Sequence, residues 1–263
     1  MEKPKVALVL STGGARGISF IGVIEELLRQ GFEISSIAGC SIGALIGAAY
    51  ATNSFDACKE VLCSFNKRKM ISLIDLSFAN KGIMKGERIM RILKKHIPDV
   101  NMEDLPIPFT AVATDIIREK EVVLNSGSIH SAIRASISMP GVFCPANYKD
   151  MLLVDGGLTN PLPLNRIKRT QGDIVVGAIA GGSDINSMNN KLSATTILTK
   201  ASTLMIQKII GASIEKYQPE IVINIPGSRY SVMQFNKAAE IIELGRQTAR
   251  QKIEKYKLSL RHG

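Results

Sequence analysis

Ser41 stands in Gly39-Cys40-Ser41-Ile42-Gly43, between the apolar end of a run at Ser36-Ile37-Ala38 and a stretch rich in Ala, Ile and Leu from Ile42 to Ala51. A Gly-x-Ser-x-Gly sequence between strand and helix suits a nucleophile elbow, because the glycines let the two elements close up where a Cβ would clash. The turn lifts the serine hydroxyl to the top of the sheet, and the helix N-terminus behind it favours a developing negative charge. A Gly-Ser connection with no chemistry has the same local look, so the surrounding segments decide. Ser11-Thr12-Gly13-Gly14-Ala15-Arg16-Gly17 joins the apolar run Val6–Leu10 to an amphipathic stretch from Ile18 to Gln30. Such a loop exposes backbone N–H groups that hold anionic oxygens, either of a phosphate or of an ester under attack. The glycines do not make G-x-G-x-x-G, and no Gly-Lys-Ser/Thr follows, which argues against a nucleotide. Asp155 closes the apolar run Met151–Val154 ahead of Gly156-Gly157, so its carboxylate sits at the carboxyl end of a strand, where open α/β sheets gather reactive groups. Asp-Gly-Gly is also a common turn.

Together these segments resemble the patatin-like phospholipase family, with its Gly-Gly-Gly-x-Arg/Lys-Gly loop, Gly-x-Ser-x-Gly elbow and Asp-Gly-Gly/Ala acid. Ala135-Ser136-Ile137-Ser138-Met139-Pro140-Gly141-Val142-Phe143 is similar to the family's Ala-Ser-x-Ala-x-Pro-x-x-Phe stretch. Gly82-Ile83-Met84-Lys85-Gly86 is similar to the segment ahead of its lid. The resemblance runs from Val6 to Asn160 and implies a Ser41–Asp155 dyad, with Ser41 as nucleophile and Asp155 as proton acceptor. It further implies an oxyanion hole at Gly13 and Gly14 with Ala15, supported by Arg16, Gly17, Gly39, Gly43, Gly156 and Gly157. Arg16 takes the family's Arg/Lys position, where it steadies the loop or meets a lipid phosphate. Thr12 departs from the pattern, replacing the first loop glycine, and is expected to alter the loop's entry. The implied activity is hydrolysis of phospholipid or lysophospholipid esters through an acyl-enzyme. Carboxylesterase or thioesterase chemistry uses the same machinery, and a catalytically silent membrane-binding or regulatory module on the same fold is the other class.

A Ser-His-Asp triad needs a histidine, and the chain has His96, His130 and His262. His96 lies in a basic helix, His130 opens another, and His262 alone follows Asp155 but sits in a basic tail, so the dyad is preferred. Cys40, Cys58, Cys63 and Cys144 show no zinc or C-x-x-C spacing, and no metal or cofactor is expected. Cys40 borders the nucleophile without a base in its local sequence and reads as a buried inert thiol.

The elements that must position these groups alternate strand and helix along 263 residues. That pattern predicts one α/β domain, a three-layer α/β/α sandwich on a mainly parallel sheet. Strands are expected at Val6–Leu10, Ile107–Asp115, Glu121–Leu124, Met151–Val154, Ile174–Ile179 and Ile221–Ile225. Helices are expected at Phe55–Asn66, Ser128–Ser136, Thr195–Ile214 and Asn236–Lys257, with a polar loop over Gly181–Asn190. Residues 67–104 read as an irregular basic cap or lid. Met84, Met90, Met139 and Met205 are candidates for a pliable acyl channel, or core filler.

The formal net charge of +10 is uneven, with ten basic residues against three acidic ones from Lys59 to Lys95, and six against one from Arg246 to Gly263. The first region also holds Phe65, Met70-Ile71, Leu73-Ile74 and Leu76. That mixture fits a cap resting on an anionic membrane, and equally a solvated basic face. No nucleic-acid motif is present. No signal peptide or membrane span is read, and sparse cysteines suit a reducing, cytoplasmic setting with peripheral membrane association. Oligomeric state is not legible.

Overall fold

Strand β1 (Lys5–Leu10) sends Val6, Leu8 and Leu10 into one apolar layer and Ala7 and Val9 into another. A strand apolar on both faces belongs in a sheet covered on both sides. The computed structural model, which describes residues 3–73, 75, 84–181, 193–227 and 230–262, shows that arrangement. Strand β1 pairs in parallel with β2 (Glu33–Cys40) on one edge and β7 (Ile174–Ala180) on the other. Strand β8 (Ile221–Ile225) extends the sheet beyond β7, and β3 (Phe109–Asp115) extends it beyond β2, both in parallel.

The far side is antiparallel. Strand β4 (Lys120–Leu124) takes one edge of β3. The other edge is shared: β2 pairs with it as far as Cys40 opposite Val112, and β6 (Met151–Asp155) begins with Asp155 opposite Ala113. Strands β2 and β6 therefore run head to head along one edge of β3, and their carboxyl ends abut. A short strand β5 (Ala146–Tyr148), which the sequence does not announce, borders β6. Among the described residues the sheet has eight strands.

Helices α1 (Ser19–Arg29), α2 (Ile42–Ala51) and α8 (Ala238–His262) cover one face through a core that includes Phe20, Ile24, Ile46 and Ile242. Helices α3 (Phe55–Cys63), α5 (Glu87–His96) and α6 (Ile129–Ser136) pack into the same core through Leu62, Leu93 and Ile133. The opposite face is covered by Leu162, Leu164 and α7 (Ala194–Tyr217), the last through Ile206, Ile210 and Ile214. This is the expected α/β sandwich.

Some boundaries differ from expectation. The cap over residues 67–104 is less irregular than its composition suggests: α4 (Lys67–Ser72) and α5 are helical, α4 capped by the Asn66 side chain on the Lys69 N–H. The Asp75 carboxylate accepts the Gly86 and Arg88 N–H groups at 2.9 and 3.0 Å, tying off the start of α5. Helix α3 ends at Cys63, three residues early. The polar loop expected over Gly181–Asn190 lies, beyond Gly181, outside the described residues, as do Ile74, Leu76, Gly82 and Ile83 of the cap.

Candidate active site

The elbow is tight because its backbones touch. A Cβ on Gly39 would lie 2.6 Å from the Ala44 nitrogen, and one on Gly43 would lie 2.5 Å from the Leu10 carbonyl oxygen. Ser41, between them, has φ 57° and ψ −122°, a conformation that glycine ordinarily supplies. Holding a serine there costs about 1–3 kcal/mol, which the surrounding packing must offset.

One such restraint comes from the Ala135–Phe143 stretch, though the motif does not say what it does. The Ser41 N–H donates to Ser136 Oγ at 2.9 Å, and the Ser136 hydroxyl donates to the Val112 carbonyl at 2.7 Å. Ser136 is fully buried, so this single hydroxyl bolts the elbow to β3. Ser136→Ala leaves a buried donor and a buried acceptor without partners, each costing about 1–3 kcal/mol. The expected outcome is a lowered Tm and, with Ser41 as the proposed nucleophile, a fall in kcat of up to about 10²-fold with KM unchanged, since Ser41 shifts while the cavity does not. Steady-state kinetics and a thermal melt check both.

Ser41 Oγ donates to Asp155 Oδ2 at 2.6 Å across 114 positions of chain. Both residues are buried, at 5% and 4% exposure. The head-to-head strands bring this about: the carboxyl ends of β2 and β6 deliver one residue each. The other carboxylate oxygen accepts the Gly157 N–H at 2.8 Å and the Cys40 thiol at 3.8 Å. Burial pushes the Asp155 carboxyl up to about 6, against the pull of hydrogen bonds from Ser41, Gly157 and Cys40. The Cys40 thiol is itself raised well above its ordinary value by burial and by the carboxylate beside it, so it stays a neutral donor.

The glycine loop lies over the elbow. Gly14 has φ +55°, and Gly17 packs where a Cβ would strike the Ile42 side chain. Thr12 needs no left-handed backbone, and its N–H donates to the Pro161 carbonyl at 2.9 Å. Among the described residues no acceptor takes the Gly13 or Gly14 N–H. Ala15 differs: its N–H donates to the Val232 carbonyl at 2.8 Å and is already engaged. Arg16 donates through Nη1 to the Gly181 carbonyl at 2.8 Å, anchoring the loop to the end of β7. A Cβ on Gly156 would meet the Val112 carbonyl, so that glycine permits the close approach of β6 to β3.

Gly14 and Ser41 open onto an apolar cavity of about 330 Å³. Helix α3 lines it with Val61 and Leu62, α5 with Ile89, Ile92 and Leu93, and the segment before α8 with Val232, Met233 and Phe235. Helix α5 is thus two-faced, apolar toward the cavity and basic outward with exposed Arg91, Lys94 and Lys95. Met84 and Met139 line the cavity, Met90 is core, and Met205 is exposed on α7.

The histidines serve elsewhere. His130 hydrogen-bonds through Nε2 to the Ile97 carbonyl at 2.8 Å, with Asp99 at 3.6 Å from Nδ1. His96 lines the cavity, while the His262 side chain lies outside those described. Among the described residues no cluster of His, Cys, Asp and Glu suits a metal ion, and no helix is long and apolar enough to cross a membrane.

A strained serine at a strand–helix elbow, hydrogen-bonded to a buried carboxylate, places the chain among α/β proteins with a Gly-x-Ser-x-Gly elbow. Within that class residues 8–166 match the patatin-like phospholipase family, and the chain belongs to it. It is 40% identical over 183 residues to an uncharacterised NTE family protein of Mycobacterium tuberculosis, covering 70% of this chain and 51% of that protein. Mouse patatin-like phospholipase domain-containing protein 7 is 29% identical over 93% of this chain and 20% of its own length. Lysophospholipase nte1 of Aspergillus fumigatus is 27% identical over 96% of this chain and 18% of its own. The chain thus spans about half of the first relative and a fifth or less of the other two. Among solved structures VipD of Legionella pneumophila shares the fold, with a TM-score of 0.50 and 15% identity over 97% of this chain and 67% of that one.

Proposed function

We propose that this protein is a serine acyl hydrolase that cleaves carboxylic esters of phospholipids or lysophospholipids through a Ser41–Asp155 dyad. The observation that carries the reading is the 2.6 Å hydrogen bond from Ser41 to Asp155 at the head of an apolar cavity. The acyl chain enters the cavity and Ser41 Oγ attacks the ester carbonyl as Asp155 takes its proton. A carboxylate raised to about 6 is a far better base near neutral pH than an ordinary aspartate, and is still ionised there. The oxyanion rests on the N–H groups of Gly13 and Gly14, and Asp155 passes its proton to the departing alcohol. Water, deprotonated by the same carboxylate, then clears the acyl-enzyme. Asp155 turns over both half-reactions, so the mechanism needs no histidine.

The basic outer face of α5 and the exposed Ile71 and Met233 at the cavity's rim suit peripheral contact with an anionic membrane. The test is fatty-acid release from lysophosphatidylcholine, with Gly14→Pro beside wild type. Losing one oxyanion donor costs about 2.7–4 kcal/mol in the barrier, and proline, held at a φ of about −65°, cannot keep the φ +55° of Gly14, so the variant is expected to turn over at least about 10²–10³-fold more slowly. A folded Gly14→Pro protein with normal turnover would remove Gly14 from the oxyanion hole. A folded wild type that releases nothing from lysophospholipid, phospholipid or simple esters would favour a silent binding module.

A further inference from the structure

Helix α7 is apolar on two opposite sides. Ile206, Ile210 and Ile214 face the sheet and meet Ala7, Val9, Val175 and Ile179. Roughly half a turn away stand Ile197, Leu198, Leu204 and Met205, which are 53–67% exposed. Helical spacing places these four, with the exposed Ala201 between them, on one stripe. Among the described residues nothing covers it. Every described side chain from Ile197 to Ser202 is exposed, whichever way it points, so this part of the helix stands clear of the body.

Topology fixes where it stands. Helix α7 links two parallel strands, β7 and β8, and so runs back against them. Its first half therefore lies at the carboxyl edge of the sheet, the edge that carries Ser41. Its 24 residues reach about 36 Å, against about 23 Å for the seven residues of β7, so the helix overhangs that edge. The cavity rim with Ile71 and Met233 belongs to the same edge on the other face of the sheet.

Charge selects the occupant. No Asp or Glu occurs from Ser193 to Ile214, whereas Lys200 and Lys208 are exposed on the helix. A second copy fits poorly: antiparallel pairing centred on Leu204 sets Lys200 against Lys208, and parallel pairing sets each lysine against itself. An anionic lipid surface satisfies both features, apolar side chains entering the acyl boundary while lysine stems reach up to the phosphates. We propose that the overhanging half of α7 is a lipid-docking element that seats the catalytic edge on an anionic bilayer. It would hold the protein edge-on, with α7 and the basic cap straddling the cavity mouth. The purpose assigned to it rests on the acyl hydrolase reading, but the binding does not.

The protein contains no tryptophan, so one introduced indole reports on its own position without background. Leu204→Trp is mixed with vesicles of equimolar phosphatidylcholine and phosphatidylglycerol, with Leu28→Trp, at the far end of α1, as control. The expected result is a blue shift and quenching by brominated acyl chains for Leu204→Trp alone, abolished with pure phosphatidylcholine. Leu198→Asp/Leu204→Asp is expected to weaken vesicle partition at least tenfold and to leave hydrolysis of soluble p-nitrophenyl butyrate unchanged. Unshifted Leu204→Trp emission on vesicles that carry the protein would overturn the proposal. So would a blue shift without vesicles that grows with protein concentration, which would mark a self-association face. A vesicle-dependent shift in a protein that cleaves no ester would refute the hydrolase reading and leave the docking element standing.

Discussion

Replacing Ser41 with glycine is expected to leave a folded protein that melts above its Ser41→Ala counterpart while neither releases fatty acid above background. Both variants lose the proposed nucleophile and the hydrogen bond to Asp155, so both should lower kcat by about 10⁴-fold or more. They differ in the backbone. Alanine keeps the Cβ that makes φ 57° and ψ −122° costly, and glycine does not. Relief of about 1–2 kcal/mol would separate their melting temperatures by roughly 2–4 °C or more for a chain of this size. The order reverses the usual one, in which Gly is less stable than Ala. An adduct of a fluorophosphonate probe on wild type, absent from both variants by intact mass, completes the test. Equal melting temperatures would mean that the elbow stores no strain, and an adduct that survives in Ser41→Ala would place the nucleophile elsewhere.

Asp155→Asn carries the second large effect, and it too moves activity and stability in opposite directions. Loss of a general base typically costs 10²–10⁴-fold, and an amide cannot accept the Ser41 proton. The stability effect follows from the direction of the shift. Burial raises the folded carboxyl to about 6 from an ordinary value near 3.8, so the folded state holds this proton more tightly than the unfolded state does. Below about pH 4 the group is protonated in both states and costs nothing. As pH rises toward 6 the unfolded state gains by ionising first, and above 6 the fold bears a penalty of roughly 3 kcal/mol. Asp155→Asn removes that penalty. Its stability relative to wild type is therefore expected to improve from pH 4 to 7, as urea melts across that range would show. In wild type the acid limb of kcat/KM should fall near pH 6. A limb near pH 4 would mean that solvent reaches the carboxylate after all.

The fold was legible where its cause is local. The apolar run at Val6–Leu10, the glycines around Ser41 and the Asp-Gly-Gly turn each carry their function in their own neighbourhood, because a close backbone approach demands glycine wherever it occurs. What escaped reading is carried by partners distant in the chain. Ser136 stands in a motif the sequence marks, but its task is not written there: only the approach of Val112 and Ser41 gives its hydroxyl two partners. The Ala15 N–H is taken by Val232, 217 positions away, through a carbonyl that every residue type possesses. Strand β5, three residues long with one side chain buried, has too short an alternation to register. Asp155 was read as the end of one more strand in a parallel sheet. That it closes an antiparallel strand aimed at β2 follows from β3 alone, whose edge the two strands divide.

That divided edge has a consequence in time. Ser41 and its elbow are synthesised early, but the base arrives with β6, 114 residues later. At about 5–20 residues per second, the ribosome makes Ser41 roughly 6–23 s before Asp155 can meet it. Neither residue holds the other through the elements beside it in sequence, so β3 must be in place before they pair. On the proposed dyad, translation makes the nascent chain its own zymogen, activated without cleavage by the docking of one strand.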